Sequence, residues 1–184
     1  MARPQPSMPL DAAQRELSRA YVGGAPGVLI SGLVWLAAGT VWATRGAPAG
    51  FLTLFVGGML IMPGSVALSR LLFRAPKIAP GNPLERLGFE STVMLFAGLL
   101  IAYALLRSDP AMAFATLAVA IGARYFVFRT LYNEPLYWLL GALLAALGMA
   151  VLLRWTTMPV NVAVAVGAVE LLMALLLLLR HRRR

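Results

Sequence analysis

The stretch Ala20-Tyr-Val-Gly-Gly-Ala-Pro-Gly-Val-Leu-Ile-Ser-Gly-Leu-Val-Trp-Leu-Ala-Ala-Gly-Thr-Val-Trp-Ala-Thr44 runs for 25 residues without a charged side chain, between Arg19 and Arg45. A helix rises 1.5 Å per residue, so about 20 apolar residues cross a hydrocarbon core roughly 30 Å thick. The stretch reads as a transmembrane helix. Five more of comparable length follow, which places spans at about 22–44, 49–70, 84–106, 110–130, 135–153 and 159–179. The fold expected is all-α, a polytopic bundle of six transmembrane helices over residues 20–180, preceded by a leader (1–19) and closed by a basic tail (181–184).

Composition agrees. Sixty per cent of the 184 residues are hydrophobic, 12% are charged, and mean hydropathy is +0.80. A soluble domain of this size leaves roughly 30% of its surface exposed on folding, too much to hide so apolar a chain. The net charge of +9 would suggest nucleic acid in a soluble protein. Here the basic residues sit at helix ends, so a membrane accounts for them and nucleic acid is not an expected partner. With no cysteine in the chain, disulfide and thiol chemistry are excluded. The first apolar run is of full spanning length and lacks a small-residue cleavage site, so it reads as a span and not a signal peptide.

The links between spans carry their own signals. Arg45-Gly46-Ala47-Pro48 makes a tight turn, and Arg70 to Gly81 a longer polar link with Pro76 and Pro80. Asn82-Pro83-Leu84-Glu85 reads as a helix start: Asn caps, Pro fits the first helical position and Glu85 has capping-box spacing. Asp109-Pro110 and Asn133-Glu134-Pro135 start the next spans, and Pro159 the last. Asp11-Ala-Ala-Gln14 has the same spacing and suggests a short helix leading into span one, after a leader marked by Pro4, Pro6 and Pro9.

Counted by side, thirteen Lys and Arg fall at the N-terminus, the second and fourth links and the tail, against Arg45, Arg107 and Arg154 on the other side. Such a bias over short loops predicts that both termini lie on the cytoplasmic side of a plasma membrane. Trp42, Tyr103 and Trp155 would mark the outer interface, and Tyr132, Tyr137 and Trp138 the inner one.

Within the spans, ionisable residues are the candidates for function. Glu170 lies about ten residues, or about 15 Å, above Arg180. An ionised carboxylate so deep costs on the order of 2.5–3.5 kcal/mol, so it should face protein or water, with a cation near if it is charged. Arg124 in span four is the natural partner, since its guanidinium keeps its charge and its stem is long. Glu90, near the inner end of span three, is a second carboxylate for the same arginine. A Glu90–Arg124–Glu170 cluster would be either a binding or proton-coupling site or an ion pair that fixes helix packing. Pro63, in Gly57-Gly58-Met59-Leu60-Ile61-Met62-Pro63-Gly64-Ser65, removes an intrahelical hydrogen bond and frees the carbonyl of Met59, as in the broken helices that line transporter cavities or as a plain kink. Gly23, Gly27 and Ser31, with Gly32 and Gly39 beside them, and Gly141, Ala145 and Gly148, have spacings that let helix backbones approach. Asn161 and Thr92 are suited to interhelical hydrogen bonds. The Arg180-to-Arg184 tail stops and orients the last span.

The only histidine, His181, lies in the tail. A Ser–His protease, a His-ligated metal site and an axial-His haem therefore lack their central residue. No Walker loop or dinucleotide fingerprint is present, so no catalytic residue, metal or cofactor is assigned.

At Asn82-Pro83-Leu84-Glu85-Arg86-Leu87-Gly88-Phe89, with Gly122-Ala123-Arg124 and Leu131-Tyr132, the chain resembles a family of small bacterial membrane proteins known as a domain of unknown function (7010). The likeness covers nearly the whole chain. It implies six spans with a similar Asn-Pro-Leu link and supplies no activity or cofactor. The leading expectation is a small transporter or permease-like protein. Its cytoplasm-facing cavity, bounded by Pro63, Glu90, Arg124 and Glu170, would take a small anionic or protonatable ligand. A non-catalytic scaffold or accessory subunit is the alternative, and an intramembrane lipid-modifying enzyme the third. The lipid bilayer is the partner the composition implies, and the sequence leaves the oligomeric state open.

Overall fold

The computed structural model describes residues 8–78, 81–155 and 161–183. The expected leader prolines Pro4 and Pro6, Pro80 of the long link, the Pro159 start and the final Arg184 lie outside the described residues. Those described are all helical or looped: α1 (Leu10–Ala20), a single 3-10 turn (Val22–Gly24), α2 (Ala25–Arg45), α3 (Ala47–Leu71), α4 (Pro83–Leu105), α5 (Pro110–Tyr132), α6 (Leu136–Leu152) and α7 (Val162–Arg182). Five helical segments, Val22–Arg45 and α3, α4, α5 and α7, are long and apolar enough to cross a membrane. At 17 residues, or about 25 Å, α6 is shorter.

Local chemistry sets these boundaries. Asn82 Oδ1 accepts from the Leu84 N–H at 3.0 Å and Asp109 Oδ1 from the Met112 N–H at 3.1 Å, satisfying amides that each helix start leaves free. The Asn133-Glu134-Pro135 start works differently. Asn133 ends α5 in the left-handed conformation, and the Glu134 carboxylate caps α6 through the Leu136 N–H at 3.2 Å. Asn161, expected inside the last span, caps α7 at Val164 and also donates to the Gly39 carbonyl of α2 at 2.9 Å. The expected leading helix forms as α1, but it does not run on into α2. Val22, Gly23 and Gly24 all have positive φ, which breaks the axis between them.

α2 and α3, α4 and α5, α5 and α6, and α2 and α7 pack antiparallel, so both described chain ends, the end of α3, the start of α4 and the 133–135 link gather at one end of the bundle, called here the terminal end. The seams between α2 and α7 and between α5 and α6 are very close. A Cβ on Gly122 would lie 2.8 Å from the Gly141 carbonyl oxygen, and one on Gly167 2.8 Å from that of Gly32. The order of packed helices is α3–α2–α7–α6–α5–α4, with α7 also touching α5. α3 and α4, consecutive in the chain, have no packed seam of their own. The bundle is therefore an open ring.

Across the ring, Phe114 is fully buried, stacks on Trp42 with centroids 4.6 Å apart and meets Trp35 and Phe51 edge-on. Near the terminal end Tyr125, Phe128, Tyr132 and Tyr137 form a second aromatic cluster. These contacts correct the expected aromatic belts in part. Tyr137 points inward, with its hydroxyl donating to the Gly23 carbonyl at 2.7 Å, and Trp42 turns toward Phe114. Tyr103, Trp138 and Trp155 are exposed. The outward faces of α3 and α4 are apolar, with Leu60, Phe89, Met94 and Leu100 all exposed, more than water tolerates in a monomer.

Candidate functional site

The gap between α3 and α4 opens into a cavity of about 530 Å³. α2 forms its back wall at Ser31 and Trp35, and α5 its floor from Leu117 to Tyr132, about 22 Å of helix. Near the end opposite α1, Phe51 of α3 and Tyr103 of α4 close the gap, their ring centroids 6.2 Å apart. Nearer the terminal end the walls separate, with Gly58 and Met62 on one side and Phe89 and Thr92 on the other.

Arg124 projects into this cavity. It lies eight residues from the end of α5, about 12 Å along the helix. Its Nη2 donates to Thr92 Oγ1 at 2.9 Å and its Nε to Ser91 Oγ at 3.3 Å, both across the seam to α4. Each hydroxyl in turn donates to the Gly88 carbonyl, at 2.7 Å from Ser91 and 3.2 Å from Thr92. The Phe128 ring lies under the guanidinium, 4.9 Å from Cζ to the centroid. Every partner is formally neutral. They fix the direction of the guanidinium without cancelling its charge, and no carboxylate pairs with it among the described residues.

The expected three-charge cluster is thus divided among three places. Glu90 pairs with Arg86, one turn earlier on the same helix, with Nε–Oε1 at 2.8 Å and both side chains exposed. Glu170 is completely buried in α7, where its Oε1 accepts from Tyr125 Oη at 2.6 Å. Ser31 adjoins this pair, and Glu170 Oε2 is buried without a hydrogen-bond partner among the described residues. Pro63 is exposed, and α3 continues through it from Ala47 to Leu71. Of the two readings of Pro63, a broken helix and a plain kink, the uninterrupted helix fits the second. The proline's neighbours Met62 and Ser65 line the cavity instead.

Two residues that matter escaped sequence reasoning. Ser91 stands beside Thr92 in an otherwise apolar run, a polar pair that could have flagged the Arg124 seat. Tyr125 follows Arg124 and links the cavity to Glu170, since it lines the one and bonds the other. Among the described residues no three His, Cys, Asp or Glu side chains come together as metal ligands would.

Helices of this length and hydropathy around an apolar cavity define a helical protein of membrane type. The chain belongs to a family of unknown function, DUF7010, which it matches over residues 10–180. Neither the curated proteins nor the solved structures hold a match to it.

Proposed function

We propose that this is a small transporter or permease-like protein of a bacterial plasma membrane, with six spans and both termini cytoplasmic, that takes an anionic ligand at Arg124. One observation carries the reading. A permanently charged guanidinium sits about 12 Å along a spanning helix, aimed into a cavity and held only by neutral hydroxyls and a ring. A charge at such depth is costly and marks function by default when nothing in the protein compensates it. The terminal end is cytoplasmic in this reading, because thirteen of sixteen basic residues belong to that side. Glu170, the proton-exchange candidate, would communicate with the cavity through Tyr125 and Ser31, which line it.

A thermal-shift series on the purified full chain tests this. Small carboxylates and inorganic phosphate should raise the melting temperature of wild type and leave Arg124→Gln unmoved. In proteoliposomes, Glu170→Gln should abolish ligand-driven pH change while keeping the shift. If no anion moves wild type, the transport reading loses its support. A scaffold role would then be favoured by the sealed Glu170–Tyr125 contact and the glycine seams, which fix helices as a structural lock does.

A further inference from the structure

We infer that the occupant of the α3–α4 cleft is an anionic lipid of the surrounding bilayer, which enters sideways between these helices and sets its headgroup oxygens on Arg124. The inference rests on the anion-site reading above and adds the ligand's class and its route.

The route follows from the open ring. Among the described residues the ring of packed helices is open between α3 and α4, and the faces beside that opening carry exposed Met59, Phe89 and Phe96. On any spanning arrangement of α3 and α4 this opening faces hydrocarbon, not water. A lipid is already dissolved there, whereas a hydrophilic anion would have to leave water to reach it.

The shape agrees. About 530 Å³ lies within the usual range for ligand cavities, and it is drawn out along about 22 Å of α5. Its walls are apolar along most of that length, which suits an acyl chain. Two charged side chains line the cavity, Glu85 in the first turn of α4 and Arg124 beside Ser91 and Thr92, and the arginine is the one that suits an anionic group. Of the five guanidinium N–H bonds, Ser91 takes the one on Nε and Thr92 one on Nη2. Both on Nη1 and the second on Nη2 have no protein acceptor among the described residues. That is the fork that binds a carboxylate or phosphate through two oxygens. The Ser91 and Thr92 hydroxyls have their own protons committed to Gly88. They therefore hold the arginine in place and leave its free edge to the lipid.

Gly58 supplies the control. It lines the cleft on α3, and a Cβ built on it meets nothing within 4 Å. Gly58→Phe should obstruct the cleft without touching Arg124. The test uses the full chain, delipidated in a non-ionic detergent, with radiolabelled oleate and lysophosphatidate as anionic lipids. Mono-olein serves as a neutral lipid of equal chain length, and acetate and inorganic phosphate as water-soluble anions.

Wild type should bind both anionic lipids about tenfold or more tightly than mono-olein, as one charge-assisted pair predicts. Arg124→Gln should erase that preference, Arg124→Lys should retain part of it, and Gly58→Phe should weaken all three lipids. If acetate or phosphate binds through Arg124 and the lipids do not, the lipid assignment is overturned and the anion site stands. Equal binding of oleate and mono-olein with Arg124→Gln silent overturns both. Should Arg124→Gln fail to fold, Arg124→Lys and Gly58→Phe still decide: unchanged lipid affinity in both rejects the inference.

Discussion

Tyr125 and Glu170 join α5 to α7 through a hydrogen bond of 2.6 Å between groups that are both buried, the carboxylate completely. The phenol donates and Glu170 Oε1 accepts. The tyrosine also stacks on Tyr137 at 5.9 Å between centroids, so its ring is held independently of its hydroxyl. Tyr125→Phe should therefore keep the packing and delete only the donor. Loss of a buried acceptor's partner costs about 1–3 kcal/mol, to be read from denaturation in mixed micelles. Glu170→Gln keeps an oxygen for the tyrosine and should cost less than half as much. If Tyr125→Phe unfolds at the wild-type midpoint, the bond contributes nothing and the α5–α7 contact rests on packing alone.

Asn82 does two separable jobs. Its Oδ1 caps α4, while its Nδ2 donates to the Ala13 carbonyl at 3.1 Å and to Glu16 Oε2 at 2.8 Å, docking α1 beneath the bundle. Asn82→Asp should keep the cap, since aspartate caps as well as asparagine. It removes the donor and sets a second carboxylate against Glu16. Amide exchange should then quicken throughout α1 and stay slow at the start of α4. Asn82→Ala should quicken both, with a loss of about 1–2 kcal/mol for the cap. Wild-type exchange rates throughout α1 in Asn82→Asp would show that the cross-helix bonds do not hold α1.

The glycine seams should tolerate no side chain. On Gly122 a Cβ would sit 2.8 Å from both the Gly141 carbonyl oxygen and the Ala145 nitrogen, backbone atoms that cannot turn away. Gly122→Val should lower stability by about 1–3 kcal/mol or more, the usual cost of overpacking. Gly58→Ala, where the space is open, should leave the melting temperature unchanged or raise it slightly, because alanine is the better helix former. Similar melting of the two variants would mean that α5 and α6 can separate freely.

These contrasts show what a single sequence carries. Long apolar helices and caps were legible because they are local: a hydropathy run needs only its own residues, and Asn82 and Asp109 cap amides two or three positions away. Glu90's partner is equally local, since Arg86 stands one turn before it, whereas depth in the membrane alone points to Arg124. Depth is one coordinate of three. It set Glu90 and Glu170 within reach of Arg124, but whether Arg124 or Tyr125 turns toward α7 depends on the rotation of α5. The order of helices around the ring fixes that rotation. Adjacent residues on a helix point about 100° apart, so Arg124 faces α4 and the cavity while Tyr125 takes Glu170. The open seam between α3 and α4 had no local signature, because consecutive helices ordinarily lie side by side and a longer link does not by itself say whether they pack.

Orientation can be tested on a clean background, since the chain has no cysteine of its own. Lys77 lies in the link at the terminal end, and Ser108 lies in the turn at the opposite end. Single cysteines at these two sites, Lys77→Cys and Ser108→Cys, should label oppositely in intact bacterial cells from which any outer barrier has been stripped. With both termini cytoplasmic, a membrane-impermeant maleimide should modify Ser108→Cys at once and Lys77→Cys only after lysis. Adding basic residues beside Ser108 should reduce its labelling, because positive charge retains short loops on the cytoplasmic side. Labelling of Lys77→Cys from outside would reverse the orientation. It would leave the cleft unchanged and place the approach to Arg124 nearer the outer face, and with it the leaflet from which an anionic lipid would enter.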